Sequence, residues 1–295
     1  MTASVTFGGR LAAQFAAGRH LCAGIDPHTS LLSEWGVSDS AAGAERMGRD
    51  VVAAAAGLAA CVKPQIALFE RFGAAGFSAL ERVFDDARDA GLLVVADVKR
   101  GDIGSTFAAY ADAWLTPGSP LEADAMTVVA YQGFGSLAGG VTHVEQHGKG
   151  MFVLAATSNP EAREVQQAVR GDGRSVASAM VTDVEEWNAA HQATRAAAGL
   201  PADTVGSIGV VLGATLDLAD FGIETGDRPS GPALPVLAPG FGHQGARIED
   251  AHSIFGGIGR ALLANESRSI LRGGPDGLKL RIEERANLIR AALAP

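Results

Sequence analysis

Short apolar runs alternate with longer Ala-rich segments along most of the chain. The apolar runs have the length typical of buried strands, and the segments between them, such as 41–58, 76–90 and 105–115, repeat their apolar positions at helical spacing. Eight such units predict an α/β fold, a closed (β/α)8 TIM barrel of parallel strands, with a short N-terminal helix at 9–17. The predicted strands are 21–26, 61–65, 92–99, 125–130, 151–158, 208–215, 236–242 and 267–272.

Two connections between the predicted strands are unusually long. Residues 159–206 predict a helical excursion after the fifth strand, and residues 216–235, rich in Gly, Pro and Asp, predict a surface loop. We therefore interpret 1–295 as one barrel domain. The alternative is an open doubly wound sheet, which usually carries a glycine fingerprint after its first strand, and no such fingerprint follows residues 24–28.

Composition limits the partners that the chain is expected to bind. With 33 acidic and 24 basic residues the formal charge is -9, which disfavours nucleic acid and anionic membrane surfaces. The two cysteines, Cys22 and Cys61, fall in predicted strands and indicate buried reduced thiols. No apolar run has membrane-spanning length, and the first ten residues lack the pattern of a secretory signal. We therefore expect a cytoplasmic protein.

Charged residues gather where the third predicted strand ends. Alternation places Asp97 and Lys99 on one side of the sheet, and Gly101 permits a turn that would bring Asp102 back toward them. Neighbouring carboxylates favour the ammonium form of Lys99, which indicates a cation and proton donor rather than a Schiff-base nucleophile. Lys63, ending the second strand, would extend an alternating Lys-Asp-Lys-Asp array. An ordinary ion pair at the barrel rim is the alternative; the third charge favours catalysis.

A second candidate site follows the seventh predicted strand. It lies at the carboxyl ends of the strands, which is the end of a barrel that carries active sites. Gly240, Gly242 and Gly245 let backbone N–H groups approach an anion closely, and Gln244 offers an amide donor. Arg268, placed on the predicted eighth strand, can hold two phosphate oxygens at once. The pattern indicates a phosphate site. A tight turn beside a solvated arginine is the alternative.

Two histidines provide the strongest candidate for a metal site, and it is a weak one. His143 and His147 lie four residues apart on a predicted helix, but the segment lacks the His-Glu order of the zincin motif. It also lies away from the strand ends that carry the other candidate residues. The sequence therefore predicts a solvated helix face here and no metal site.

Five segments together resemble the orotidine 5′-phosphate decarboxylase family in its longer bacterial form. They occur in order from the first strand to the last loops, and the third is the most specific of them. The phosphate loop departs from the family pattern at His243, where a small residue is expected, and at Ala246, where a second glycine is expected. The segments are Gly-Ile-Asp-Pro-His at 24–28, Val-Lys-Pro-Gln at 62–65, Asp-Val-Lys-Arg-Gly-Asp-Ile-Gly-Ser-Thr at 97–106, Ala-Thr-Ser-Asn-Pro-Glu at 156–161 and Pro-Gly-Phe-Gly-His-Gln-Gly at 239–245.

The resemblance implies an activity and a set of catalytic residues. It implies conversion of orotidine 5′-phosphate (OMP) to uridine 5′-phosphate (UMP) and CO₂, the last step of de novo UMP biosynthesis, without metal or organic cofactor. Lys99 would protonate C6 of the pyrimidine, and Asp97 would lie against the substrate carboxylate. Lys63 and Asp26 would hold ribose hydroxyls.

The resemblance also implies how the remaining site residues are distributed. Asp102 and Thr106 would enter the active site of a neighbouring subunit, so the chain would form a homodimer with shared sites. Ser158 would contact the pyrimidine, while Gln244 and Arg268 would take the base and the phosphate.

Two other functions stay open on the sequence. One is a metal-dependent sugar-phosphate decarboxylase or aldolase of the same barrel superfamily, which uses a similar Asp-x-Lys-x-x-Asp arrangement and would lose activity to a chelator. The other is a non-catalytic nucleotide-binding barrel, which would bind ligand without releasing CO₂. The charged array disfavours the second alternative, because removing these charges from water is costly and binding alone does not require it.

Overall fold

The computed structural model describes residues 5–226 and 231–294, which form a closed barrel of eight parallel strands. Each strand pairs with the next along the chain, and β8 closes the barrel on β1, where Ala264 lies opposite Leu21. The predicted (β/α)8 TIM barrel is confirmed. The strands are β1 (Leu21–Ile25), β2 (Cys61–Pro64), β3 (Leu93–Arg100), β4 (Ala125–Val128), β5 (Gly150–Ala156), β6 (Ile208–Leu212), β7 (Pro235–Pro239) and β8 (Ala261–Glu266).

Helices cover the outside of the barrel through apolar faces. In α3, for example, the Ser40 hydroxyl caps the first turn by accepting a hydrogen bond from Gly43 N, and Met47 and Val51 are buried one turn apart. The α-helices in the described residues are α1 (Phe7–Ala16), α2 (Thr29–Glu34), α3 (Ala41–Ala55), α4 (Ala67–Glu70), α5 (Gly73–Asp89), α6 (Gly104–Leu115), α7 (Ala138–His147), α8 (Arg163–Gln166), α9 (Val176–Ala197), α10 (Ala251–Phe255), α11 (Arg268–Leu271) and α12 (Leu278–Ala292).

Helix α1 closes the N-terminal end of the barrel. It begins two residues before the predicted start, because Thr6 caps its first turn by accepting a hydrogen bond from Gly9 N at 2.9 Å. Phe7 is fully buried and packs edge-to-face against Phe152 of β5, with 5.9 Å between ring centroids. A Cβ on Gly150 would lie 2.3 Å from the Phe7 ring, so a glycine is required there. This plug leaves the opposite end, where the strands terminate, as the open mouth.

The predicted position of the eighth strand is wrong. The strand is Ala261–Glu266, and residues 267–272 turn instead into α11, so Arg268 begins a helix rather than lying on a strand. The sequence pattern did not indicate this strand, because it ends in a charged residue, Glu266, that is nevertheless only 1% exposed. Arg285 of α12 neutralises that charge by donating from Nη2 and Nε at 2.6 and 2.8 Å. A partner 19 residues away is not visible in a local pattern.

The helical excursion after β5 is confirmed, and its main helix is fixed to the barrel. It contains α8 and the 22-residue α9, whose buried Asn188 donates to Ile208 O at 2.7 Å and accepts from Ile208 N. The connection predicted at 216–235 includes a short 3₁₀ turn, Leu218–Phe221, and its residues 227–230 fall outside the described ranges. None of the described helices is long and apolar enough to cross a membrane.

Both cysteines are free and buried, as the sequence predicts. Cys22 and Cys61 lie opposite each other on β1 and β2 and point into the barrel interior. The prediction of a solvated face for His143 is wrong. Its ring is 8% exposed, with Nδ1 at 3.0 Å from Gly139 O and Nε2 at 3.1 Å from the Thr116 hydroxyl, so the histidine ties α7 to the end of α6.

Candidate active site

The carboxylate of Asp97 is the centre of a buried hydrogen-bond network at the mouth of the barrel. Its Oδ1 accepts from Lys99 Nζ at 2.6 Å and from the Thr127 hydroxyl at 2.8 Å. Its Oδ2 accepts from Lys63 Nζ at 2.8 Å and from the Gln65 amide, whose oxygen in turn accepts from Lys99 Nζ at 3.2 Å. Four donors therefore satisfy the carboxylate, which uses its full acceptor capacity.

The two lysines determine the charge state of this network. Burial would raise the pKa of Asp97, but the ammonium groups of Lys63 and Lys99 outweigh burial and hold that pKa well below its usual range. Burial would likewise lower the pKa of Lys63, but the negative charges of Asp97 and Asp26 raise it above its ordinary value. Asp97 and Lys63 are consequently both ionised at neutral pH, although their side chains are only 8% and 6% exposed.

Lys99 reaches Asp97 through an irregular backbone. The predicted alternation is correct in placing both side chains on one side, but the ladder between β3 and β4 shifts register between Ala96 and Arg100. Lys99 has a φ of 46°, in the left-handed region that residues with a Cβ rarely adopt. Its N–H donates to the Thr127 hydroxyl at 3.0 Å. The ammonium group is thus directed by a strained residue whose side chain is 42% exposed.

Asp102 and Thr106 do not join this network within one chain. Gly101 has no room for a side chain, because a Cβ there would lie 2.1 Å from Val129 O. The backbone then carries Asp102 away from Lys99: its carboxylate accepts from Ile103 N at 2.8 Å and forms no ion pair within the described ranges. Thr106 is exposed on α6. The expectation that Asp102 returns to the array is not met by a single subunit.

A cavity of about 260 Å³ opens beside the network, between the ends of β1 to β3 and the loops after β7 and β8. Lys63 and Asp97 line its floor, and Asp26 stands at one side with its Oδ1 buried and without a hydrogen-bond partner among the described residues. Gln244 and Arg268 line the opposite part. The five predicted residues therefore surround one volume, even though the strand assignment of Arg268 is wrong.

A second cavity of about 230 Å³ continues from the first toward β5. The two share Lys63, Asp97, Pro239 and Asn265, and the second adds Lys99 and Ser158 to the lining. The lysine pair therefore lies between a polar cavity near Arg268 and a cavity near Ser158 that Leu154, Val211 and Leu237 make more apolar. A ligand with an anionic tail and a flat polar head would fit this division.

The loop after β7 has a backbone conformation that depends on glycine. Gly240, Gly242 and Gly245 have φ values of 122°, 69° and 108°, conformations that strongly favour glycine. Desolvation, followed by the positive charges of Arg272 and Arg268, lowers the pKa of His243. Gly242 N and Gly245 N donate hydrogen bonds within the loop, to Ala246 O and Gly242 O, and the nearby arginines give the loop a positive local field.

Three polar residues of the site were not predicted from the sequence. Gln65 follows Lys63 in a motif whose role was assigned to the lysine alone, although two residues along a strand return to the same face. Thr127 is the one polar residue of β4, which was a usable signal. Asn265 was missed because β8 was misplaced. Its Oδ1 accepts from the Cys22 thiol at 3.4 Å and the residue lines both cavities.

Residues 5–226 and 231–294 contain no side-chain cluster with metal-ligand geometry. No group of three or more His, Cys, Asp or Glu side chains lies together as metal ligands would in these ranges. The charged groups at the mouth are instead paired as acid with base, since Asp97 is occupied by two lysines. The donor set is thus suited to an organic anion that contacts ammonium groups directly.

Comparisons with known proteins agree with this geometry. A family model described as orotidine 5′-phosphate decarboxylase / HUMPS family matches residues 19–277. The orotidine 5′-phosphate decarboxylase of Streptomyces coelicolor is 49% identical over 276 residues, which cover 93% of this chain and 93% of that protein. That of Corynebacterium efficiens is 46% identical over 279 residues, with 94% of each chain covered.

Solved structures extend the similarity to three dimensions. A Streptomyces avermitilis protein named for the same enzyme matches with a TM-score of 0.87 and 46% identity, covering 99% of this chain and 97% of that one. The OMP decarboxylase of Leishmania donovani matches with a TM-score of 0.73 and 29% identity, covering 97% and 99%. The strand-end carboxylate and lysines, the glycine loop and these matches lead to one assignment. This chain belongs to the orotidine 5′-phosphate decarboxylase / HUMPS family.

Proposed function

We propose that this protein is an orotidine 5′-phosphate decarboxylase, which converts OMP to UMP and CO₂. The observation that carries the proposal is the pairing of one buried carboxylate with two ammonium groups at the boundary between two cavities, one lined by Arg268 and the other by Lys99. The family to which the chain belongs, and relatives at 46–49% identity over more than nine-tenths of the chain, support the same reaction.

Lys99 has the chemistry that the reaction needs at C6 of the pyrimidine. When the bond from C6 to the carboxylate breaks, its electron pair stays on C6 and CO₂ departs. An ammonium group already aimed at that position stabilises the developing charge without reorganising, and its proton then forms the new C–H bond. Lys99 is left as a neutral amine and regains a proton from water. Its ion pair with Asp97 holds the ammonium group in place between turnovers.

The other site residues divide the substrate among them. We assign the ribose hydroxyls to Lys63 and Asp26, whose buried Oδ1 lacks a partner within the described residues. The phosphate is assigned to Arg268 with the glycine loop, and Gln244 bridges phosphate and base. Ser158, which lines the second cavity, is assigned to the pyrimidine. Binding energy from the phosphate end can then hold the reacting carbon beside Lys99.

The ultraviolet absorbance of OMP tests this function. Purified protein in excess EDTA should consume the OMP absorbance band and release one CO₂ per UMP formed. Activity that is lost in EDTA and recovered with Mg²⁺ on sugar phosphates would instead identify the metal-dependent decarboxylase or aldolase. Binding of UMP with no release of CO₂ would identify the non-catalytic nucleotide-binding barrel.

We further propose a homodimer in which Asp102 and Thr106 complete the site of the neighbouring subunit. In one chain, Asp102 has no cationic partner among the described residues, although it follows directly from the catalytic strand. Large apolar side chains are exposed on the same side of the barrel: Ile103 and Tyr131 are 60% and 82% exposed. An apolar patch beside an unpaired carboxylate is what a second subunit with a lysine-rich site would cover.

Mixing two inactive variants tests the shared site. Asp102→Ala and Lys99→Ala homodimers should each be nearly inactive, because every site lacks one of the two groups. After unfolding and refolding together, random pairing gives each mixed dimer one intact site, so roughly a quarter of the wild-type activity should return. If the mixture is no more active than its separate components, each subunit contains its own complete site and the shared-site proposal is wrong.

We also propose that the enzyme works in the cytoplasm. The support is chemical: Cys22 and Cys61 are side-by-side thiols in adjacent strands, free and buried. The hydrogen bond with Cys22, followed by burial, raises the pKa of the Cys61 thiol well above its ordinary value, which keeps it protonated and unreactive. Paired thiols of this kind persist in a reducing compartment.

A further inference from the structure

We propose that Thr127 is a positioning residue for the reaction: its hydroxyl fixes both the backbone and the ion-pair partner of Lys99. The inference rests on the proposed decarboxylation, because it concerns the aim of the lysine that protonates C6. Thr127 is the only polar residue of β4, and it is 1% exposed. A buried hydroxyl in an otherwise apolar strand requires hydrogen-bond partners, and both of its partners belong to the catalytic segment.

The two hydrogen bonds of Thr127 have settled directions. The hydroxyl has one hydrogen, and the Asp97 carboxylate at 2.8 Å can only accept, so the hydroxyl donates to Oδ1. The Lys99 N–H at 3.0 Å can only donate, so the same oxygen accepts from it. One atom therefore connects the backbone of the proton donor to the carboxylate that holds its ammonium group.

The hydrogen bond from the Lys99 N–H to the Thr127 hydroxyl holds the backbone where the regular pairing of β3 with β4 is interrupted. The register between β3 and β4 shifts between Ala96 and Arg100, so the regular strand pairing skips Lys99. Lys99 also has a φ of 46°, which is unfavourable for a residue with a Cβ and persists only where surroundings hold it. Among the described residues, the acceptor for the Lys99 N–H is the Thr127 hydroxyl. Without it the residue is free to relax toward extended backbone, which turns its side chain away from the cavity.

The side-chain bond acts on the same geometry from the other end. Thr127 and Lys99 Nζ share Oδ1 of Asp97, while Lys63 and Gln65 hold Oδ2. Loss of the hydroxyl leaves the carboxylate held from one side only, and its rotation would carry the Lys99 ammonium with it. The ribose and phosphate contacts proposed above lie on other elements. The defect should therefore fall on the chemical step and leave substrate binding almost intact.

Thr127→Val tests the inference, because it replaces the hydroxyl with a methyl group of similar size. We expect kcat for OMP to fall roughly 100-fold while KM stays within about threefold, the effect typical of a misplaced reacting group. Thr127→Ser, which keeps the hydroxyl, should retain kcat within about fivefold. Thr182→Val is the matched control: its hydroxyl bonds to Ser178 O of its own helix, and kcat should not change. A crystal structure of Thr127→Val should show Lys99 at negative φ.

The results of these experiments distinguish failure of the proposed function from failure of the proposed role of Thr127. A wild-type protein that does not decarboxylate OMP overturns the proposed function itself, whatever the variants do. With an active wild type, Thr127→Val at a kcat within about threefold of normal overturns the inference, as does an equal loss in Thr127→Ser. If the valine variant does not fold, Thr127→Ala replaces it under the same criteria. A loss in the hydroxyl-free variants that serine rescues, at nearly constant KM, supports the inference.

Discussion

Replacing Lys99 with alanine should lower kcat for OMP by roughly 10⁴-fold or more, because it removes both the preorganised positive charge and the proton donor. The side chain is 42% exposed and its removal leaves Asp97 paired with the buried Lys63, so the fold should remain stable. The measurement is the rate of OMP absorbance loss at saturating substrate. Thermal unfolding of the variant and its binding of UMP show that the protein is intact.

A second substitution separates charge from proton transfer. Lys99→Arg keeps a positive charge, but a guanidinium group does not release its proton at neutral pH and is planar and larger. It should therefore remain at least about 100-fold slower than wild type. Lys279→Ala, on the exposed surface of α12, is the matched lysine control and should be unchanged. Retention of more than a tenth of kcat in Lys99→Ala would exclude Lys99 as the proton donor.

The sequence was a good guide to which residues meet, because the period of a strand and the geometry of a parallel barrel are local or repetitive rules. Asp97 and Lys99 belong to one strand, and the ends of parallel strands converge at one mouth. Those rules were enough to predict that Lys63 and Asp26 line one cavity, whereas Arg268 lines it from α11 and not from the strand on which it was predicted. The resemblance to a known family added their roles, which remain predictions.

What the sequence did not predict depends on contacts between distant segments. The left-handed backbone of Lys99 is sustained by Thr127, 28 residues away, and no local propensity favours it. The position of β8 depends on Arg285, which makes the burial of Glu266 tolerable. The placement of Asp102 follows from the close approach of Gly101 to the carbonyl of Val129, just after β4. In each case a tertiary contact, and not the local pattern, decides the structure.

Asp97→Asn should cost about 3–5 kcal/mol of folding free energy at neutral pH, in addition to reducing kcat about 100-fold or more. The stability loss arises from the partner, because Lys63 is 5% exposed and keeps a buried ammonium group without its main counter-charge. Glu45→Gln, which breaks the more exposed ion pair with Arg82, should cost less than about 1 kcal/mol as a control. Denaturant unfolding of the variants provides the measurement.

The pH dependence of stability tests whether Lys63 causes the stability loss in Asp97→Asn. In the wild type, the raised pKa of Lys63 gives stability that is present below the unfolded value and lost as pH rises through the folded value. In Asp97→Asn, burial prevails and that pKa falls below the unfolded value, so stability increases as pH rises. The difference in folding free energy between the two proteins should therefore narrow toward about pH 10.

Adding Lys63→Met to Asp97→Asn should restore most of the stability at neutral pH but none of the activity. The apolar side chain needs no counter-charge, and Lys99 still lacks its partner. If the double variant is no more stable than Asp97→Asn, the destabilisation does not come from an unpaired lysine.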